Sequence, residues 1–282
     1  MIPKIKLESL EISKMVCGTN QFIGISHVFG LHRIRDPGLI HRSPLSWMYY
    51  AKKFKKVERV AEIMIYLAQE HGVNACVSSP RKRIYDAIQL TEKETGEKFH
   101  WICSPSKRGT VKGLEKDEIK QIEWCAEHGV SVCGPHRSFT DKQLNVEEEI
   151  IDGVEPLLER VRDLGMVPLL STHSHEVPSI IENQGYDVSL VIQPLNLKGY
   201  MSNTTPDQLI EVINNTNIQI LGIKPMAAGR IRPRDGIPFA LKNIKENDLL
   251  AVGFGDIDFA KEDAAIFEET LSIMKKLEKP RR

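Results

Sequence analysis

Leu164-Gly165-Met166-Val167-Pro168-Leu169-Leu170-Ser171-Thr172-His173 sets out one architectural unit in a single stretch. Ahead of it, Val146–Leu164 carries Ile150, Val154, Leu157, Leu158 and Val161 at helical spacing. Gly165 then stands where a helix needs a left-handed residue to stop. Met166–Ser171 is a short apolar run without alternation, as in a parallel strand buried on both faces. It ends abruptly in polar residues, Ser171, Thr172 and His173. The unit reads as helix, stop, buried strand, polar tip.

The same unit recurs in both directions along the chain. Buried-strand runs are read at Met15–Thr19, Val73–Ser78, Phe99–Ser104, Val130–Gly134, Met166–Ser171, Val188–Pro194, Ile218–Lys224 and Leu249–Gly253. Helical patterns are read at Glu58–His71, Arg83–Thr95, Asp117–His128, Val146–Leu164, Val177–Asn183, Pro206–Asn214, Pro238–Lys245 and Ala260–Leu277. His71-Gly72 and His128-Gly129 repeat the glycine stop, and Thr205-Pro206 pairs a cap with proline at the first helical position. Eight units in 282 residues average about 35 residues each, the size of a repeat in a (β/α)8 TIM barrel. A doubly wound α/β sheet competes, but it favours fewer strands and a Gly-x-Gly-x-x-Gly turn after the first, which is missing here. The expectation is one TIM-barrel domain over 1–282. Residues 1–12 form an N-terminal cap at the barrel bottom, and residues 20–56 form a long loop or lid after strand one.

Composition narrows the function classes. Lys plus Arg equals Asp plus Glu at 38 each, so there is no net pull on nucleic acid or an anionic membrane. With 41% hydrophobic and 27% charged residues the chain is neither disordered nor membrane-spanning in composition. The N-terminus lacks the apolar run of a secretion signal, and the five cysteines form no Cys-x-x-Cys pair. Cys17, Cys76, Cys103 and Cys133 sit inside apolar runs and read as reduced core residues of a cytoplasmic protein. A small molecule is the expected partner. The oligomeric state is left open.

In a barrel, chemistry gathers at the C-terminal ends of the strands. Those ends supply Asn20, Ser78, Ser79, Ser104, His136, Thr172, His173, Gln193, Asn196, Lys224 and Gly253. His27, His136 and His173 are read as ligands of a divalent metal, zinc or manganese, since catalytic zinc commonly takes three protein ligands. The competing reading of each histidine is a hydrogen bond to a loop. His175 and Glu176 are candidates for proton transfer. Lys224 is a candidate for anion binding or for a Schiff base, with a plain salt bridge as the alternative. Asn20, Ser104, Gln193, Asn196 and Arg230 are the expected substrate contacts. The function expected is metal-assisted hydrolase, lyase or isomerase chemistry on a small anionic or polyhydroxylated substrate. A non-catalytic binding barrel is a further alternative.

Several stretches resemble the aldo/keto reductases: Met15-Val16-Cys17-Gly18-Thr19-Asn20, Gly72-Val73-Asn74, Leu170–Glu176, Ile192-Gln193-Pro194-Leu195-Asn196-Leu197 and Ile223-Lys224-Pro225-Met226-Ala227-Ala228-Gly229. The order and spacing run over residues 13–277. The resemblance implies a barrel that reduces carbonyls with NADPH, using an Asp and a Tyr at and just after the end of strand two, a Lys at the end of strand three and a His at the end of strand four. Here Val77 stands at the Asp position, Lys82 at the Tyr position with Tyr85 a turn away, and Lys107 is displaced into the loop after Cys103-Ser104-Pro105. His136 alone matches. Ser171 and Gln193 resemble the positions that hold the nicotinamide amide. The acidic run Gly253-Phe254-Gly255-Asp256-Ile257-Asp258 opposes a 2′-phosphate. The resemblance therefore implies the reductase scaffold without its proton-donor group, with an NAD(P)-dependent oxidoreductase as the alternative function. The opening Gly18–His27 also resembles that of a group of microbial barrels with no activity to carry over.

Overall fold

The computed structural model describes residues 1–24, 44–106, 114 and 117–277, with side chains from residue 48 onward in the second of these segments. The chain begins with an antiparallel hairpin, β1 (Lys4–Leu7) and β2 (Leu10–Ser13). The barrel strands follow in chain order: β3 (Met15–Gly18), β4 (Ala75–Ser78), β5 (His100–Cys103), β6 (Val132–Cys133), β9 (Val167–Ser171), β10 (Leu190–Pro194), β11 (Gln219–Ile223) and β12 (Leu249–Gly253). Each pairs in parallel with the next, and β12 pairs with β3, so the sheet closes. The fold is the eightfold parallel barrel that the repeating units predict. The long loop after the first barrel strand is present as a connection, but residues 25–43 of it lie outside the described residues.

Helices α2 (Val57–His71), α3 (Lys82–Thr95), α4 (Glu118–Glu127), α6 (Glu155–Asp163), α7 (Val177–Gln184), α8 (Pro206–Asn215), α9 (Pro233–Lys242) and α10 (Ile257–Leu277) follow the barrel strands. Their stops obey the glycine rule: Gly72 and Gly165 have φ of 72° and 77°. Thr205 caps α8 by accepting from the Gln208 N–H. Several elements depart from the sequence expectation. Val146–Leu164 is not one helix: β7 (Leu144–Asn145) pairs with β8 (Ile150–Ile151), and the helix starts only at Glu155. Glu149 and Gly153, both left-handed, break the helical path there. The helix expected from Pro238 starts at Pro233, which takes the first-turn position that tolerates a missing N–H. Two short helices, α1 (Pro44–Lys53) and α5 (Arg137–Gln143), carry too little periodicity to be read from sequence.

Side chains alternate between two cores. Val16, Ala75, Ile102, Leu169, Ile192 and Leu221 fill the barrel interior, joined from below by Leu7 and Ile12 of the hairpin. Cys17, Cys76, Cys103, Cys133, Leu170 and Val191 face the helical layer. All five cysteines are free and buried, and burial raises the Cys17, Cys76, Cys103 and Cys133 thiols above their ordinary range. Lys14 donates to the carbonyls of Lys245, Glu246 and Asp248, tying the lower end of the first barrel strand to the segment entering the last. Among the described residues no helix is long and apolar enough to cross a membrane.

Candidate functional site

Opposite the hairpin, the upper mouth of the barrel holds a cavity of about 480 Å³. Asn20, Ser78, Ser79, Ser104, His136, His173, Lys224 and Gly253, all expected at the mouth from their strand-end positions, line it. Arg137 and Ser171 line it as well, and no aspartate or glutamate is among its described lining residues.

His136 caps α5, and its Nδ1 accepts from the Ser138 backbone N–H at 3.2 Å. That bond leaves Nδ1 without a proton and assigns the ring proton to Nε2. Burial, then the Arg137 and Lys224 cations, lower its pKa to about 4. At neutral pH it is an uncharged imidazole with one N–H to give.

Lys224 follows β11. Its backbone has φ of 61°, and Ala227 and Ala228 are also left-handed. This breaks the alternation of the strand, so Ile223 and Lys224 both line the cavity although they are neighbours. The loop is backed by α9, where Gly236 lies so close that a Cβ would stand 2.5 Å from the Pro225 carbonyl oxygen. Lys224 Nζ lies 3.2 Å from Nε2 of His173. Burial, then the Arg137 charge, push the ammonium pKa down to about 7, with Asp141 acting in the opposite sense.

Asp141 organises this cluster. Its Oδ1 accepts from the Thr172 hydroxyl at 2.7 Å and from the His173 backbone N–H at 3.0 Å. Its Oδ2 lies 3.9 Å from Arg137 Nη1. A single carboxylate on α5 thus ties the loop bearing His173 to the helix that His136 caps. Sequence reasoning missed Arg137 and Asp141. Their i, i+4 spacing just past His136 is a signal, but only once Arg137–Gln143 is known to be helical.

Other candidates lie off the cavity. Gln193 is fully buried and donates to the Ser174 carbonyl. Asn196 accepts from the Lys198 and Tyr200 N–H groups. Arg230 stacks over the Tyr200 ring at 4.2 Å and donates to the Ala227 carbonyl. His175 bonds Asn203 and lies 3.1 Å from Glu176, which accepts from Ser174 and Asn203. His27 lies outside the described residues. Among the described residues no group of three or more His, Cys, Asp or Glu is placed to hold a metal ion. Of the positions that the reductase resemblance implies, Val77 lines the mouth, while Tyr85 packs edge-on to His128 at 4.9 Å. Asp256 of the acidic run pairs with Lys53 of α1 at 3.3 Å.

No family model matches the chain, and no curated protein matches it. Solved structures do. A provisionally named aldo-keto reductase of Pseudomonas aeruginosa is similar with a TM-score of 0.62 at 14% identity, covering 95% of this chain and 94% of that one. An orotidine 5′-monophosphate decarboxylase of Methanocaldococcus jannaschii gives 0.51 at 14%, covering 77% and 94%. A phospho-2-dehydro-3-deoxyheptonate aldolase of Thermotoga maritima gives 0.50 at 14%, covering 98% and 73%. The likeness thus spans a named reductase, a decarboxylase and an aldolase. It is a likeness to the barrel, a frame that hosts many chemistries, and not to the aldo/keto reductases in particular.

Proposed function

We propose that the mouth is the active site of a lyase or isomerase that holds a small anionic carbonyl compound as a Schiff base on Lys224. The observation that carries this reading is the half-buried Lys224 amine, 3.2 Å from His173 Nε2, in a cavity whose described lining has no carboxylate. With a pKa of about 7, roughly half the amines are neutral at pH 7, against about one in a few thousand for an unperturbed lysine. Only the neutral amine has a lone pair to attack a carbonyl carbon.

Each residue then has a role. The Lys224 nitrogen forms a bond to the carbonyl carbon while the Nε2–H of His136 hydrogen-bonds the carbonyl oxygen. His173 takes a proton from the attacking nitrogen and returns it to the hydroxyl of the adduct. With one further proton from solvent, the oxygen leaves as water. The protonated imine draws electrons from the adjacent carbon: His173 takes the proton of a breaking C–H bond, or takes a hydroxyl proton as a C–C bond breaks and a carbonyl fragment departs, leaving a neutral enamine. Protonation of that enamine on carbon restores the iminium, which water hydrolyses to the product and the amine. Arg137 supplies positive charge for the anionic group.

Borohydride reduction in the presence of pyruvate or glycolaldehyde, followed by peptide mass mapping, tests this reading. The expected result is a stable adduct on Lys224 that Lys224→Arg abolishes. Adducts confined to other lysines, or none, would overturn it. The metal reading rests on two imidazoles, His136 and His173, lining one cavity. It predicts bound zinc or manganese in untagged protein, or a rise in melting temperature when either is added. The NAD(P) reading rests on Ser171 in the cavity wall and predicts quenching of nicotinamide fluorescence on titration.

A further inference from the structure

Some of the hydroxyl groups around the mouth are held by the wall itself. Thr19 donates to the Val77 carbonyl at 2.8 Å, and Ser78 accepts from the Trp101 indole at 2.7 Å while donating to the Ser79 carbonyl. These hydroxyls hold the rim together and have no proton left to offer. Ser104 and Ser171 differ. They are 7% and 5% exposed, both line the cavity, and neither side chain has a hydrogen-bond partner among the described residues. A hydroxyl in a shielded wall is ordinarily paired, so these two, open to the cavity without a protein partner and less exposed than Ser79 and Ser106, mark where a ligand's polar atoms belong.

Their placement is specific. The His136 N–H donates to the Pro105 carbonyl and the Ser171 N–H to the Pro135 carbonyl, both at 3.1 Å. The segment carrying His136 therefore runs between the segments carrying Ser104 and Ser171. A carbonyl oxygen bonded to His136 would have a free hydroxyl on either flank. Val77, Ile192 and Ile223 supply apolar wall for a carbon chain, and Arg137 supplies charge for a carboxylate.

We infer that the ligand is a short hydroxylated carboxylate, of the aldonate or hydroxylated 2-oxo acid class, whose chain hydroxyls pair with Ser104 and Ser171. This deepens the Schiff-base reading, yet the binding of a non-reacting aldonate tests it separately. Calorimetric titration of the full chain with ribonate, with pentanoate of equal length and with inorganic phosphate is the experiment. Ribonate is expected to bind at least about tenfold more tightly than pentanoate. Ser104→Ala and Ser171→Ala are each expected to weaken ribonate roughly three- to tenfold, the worth of one hydrogen bond, and to leave pentanoate unchanged. Equal binding of ribonate and pentanoate would overturn the inference. So would binding of neither, a preference untouched by both serine changes, or tight binding of phosphate alone. Failure of borohydride trapping with the ribonate preference intact would remove the Schiff base and leave the hydroxyl site standing.

Discussion

At the scale of single residues, charge and burial at Lys224 decide the account. Arg137 lowers its pKa and Asp141 raises it. Arg137→Gln should therefore move the Lys224 midpoint upward, and Asp141→Asn should move it downward, each read from the pH profile of reductive labelling. Identical profiles in both variants would contradict the assignment. His136 stays neutral down to about pH 4, so labelling should show an acid limb near pH 7, and His136→Gln should leave the position of that limb within a few tenths of a pH unit. Burying the amine also weakens the fold. The folded state holds fewer protons than the unfolded chain between pH 7 and the ordinary lysine range, so wild-type stability rises across that window. Lys224→Met should raise the melting temperature by a few degrees at pH 7, with the gain fading towards pH 10. His136, His173 and Lys224 were legible in the sequence because each follows directly on a buried strand. Gln193 was misleading for a physical reason. Ile192 lines the cavity, so the next side chain along an extended strand faces the helices.

At the scale of elements, close backbone approach positions the chemistry. Gly134 follows β6, and a Cβ there would lie 1.8 Å from the Leu169 carbonyl oxygen of β9. Gly236 plays the same part between α9 and Pro225. Gly134→Ala should cost at least about 3 kcal/mol in urea unfolding, since backbone cannot yield as a flexible side chain does. Gly236→Ala should cost roughly 1–3 kcal/mol and also shift the Lys224 labelling profile, because it pushes on the loop that carries the amine. A labelling profile unchanged in Gly236→Ala would show that α9 does not set the lysine. Strands and long helices were readable from buried runs and glycine stops. The α5 helix was not, because its seven residues bury Thr140 alone, and with it went Arg137 and Asp141.

At the scale of the molecule, the barrel separates stability from chemistry. The hairpin closes one end with Leu7 and Ile12, and the polar cluster occupies the other. Ile12→Ala should cost about 2–5 kcal/mol in unfolding while leaving the Lys224 labelling profile unchanged. A shifted profile would mean that the two ends are coupled. Closure also explains why residues as distant in sequence as Ser104 and Lys224 share one cavity. The central claim is the state of a single amine at that mouth. Titrating the Lys224 side chain by NMR in the intact protein tests it most directly. A midpoint near pH 7 is predicted, and a midpoint near 10, as in a lysine open to water, would contradict it.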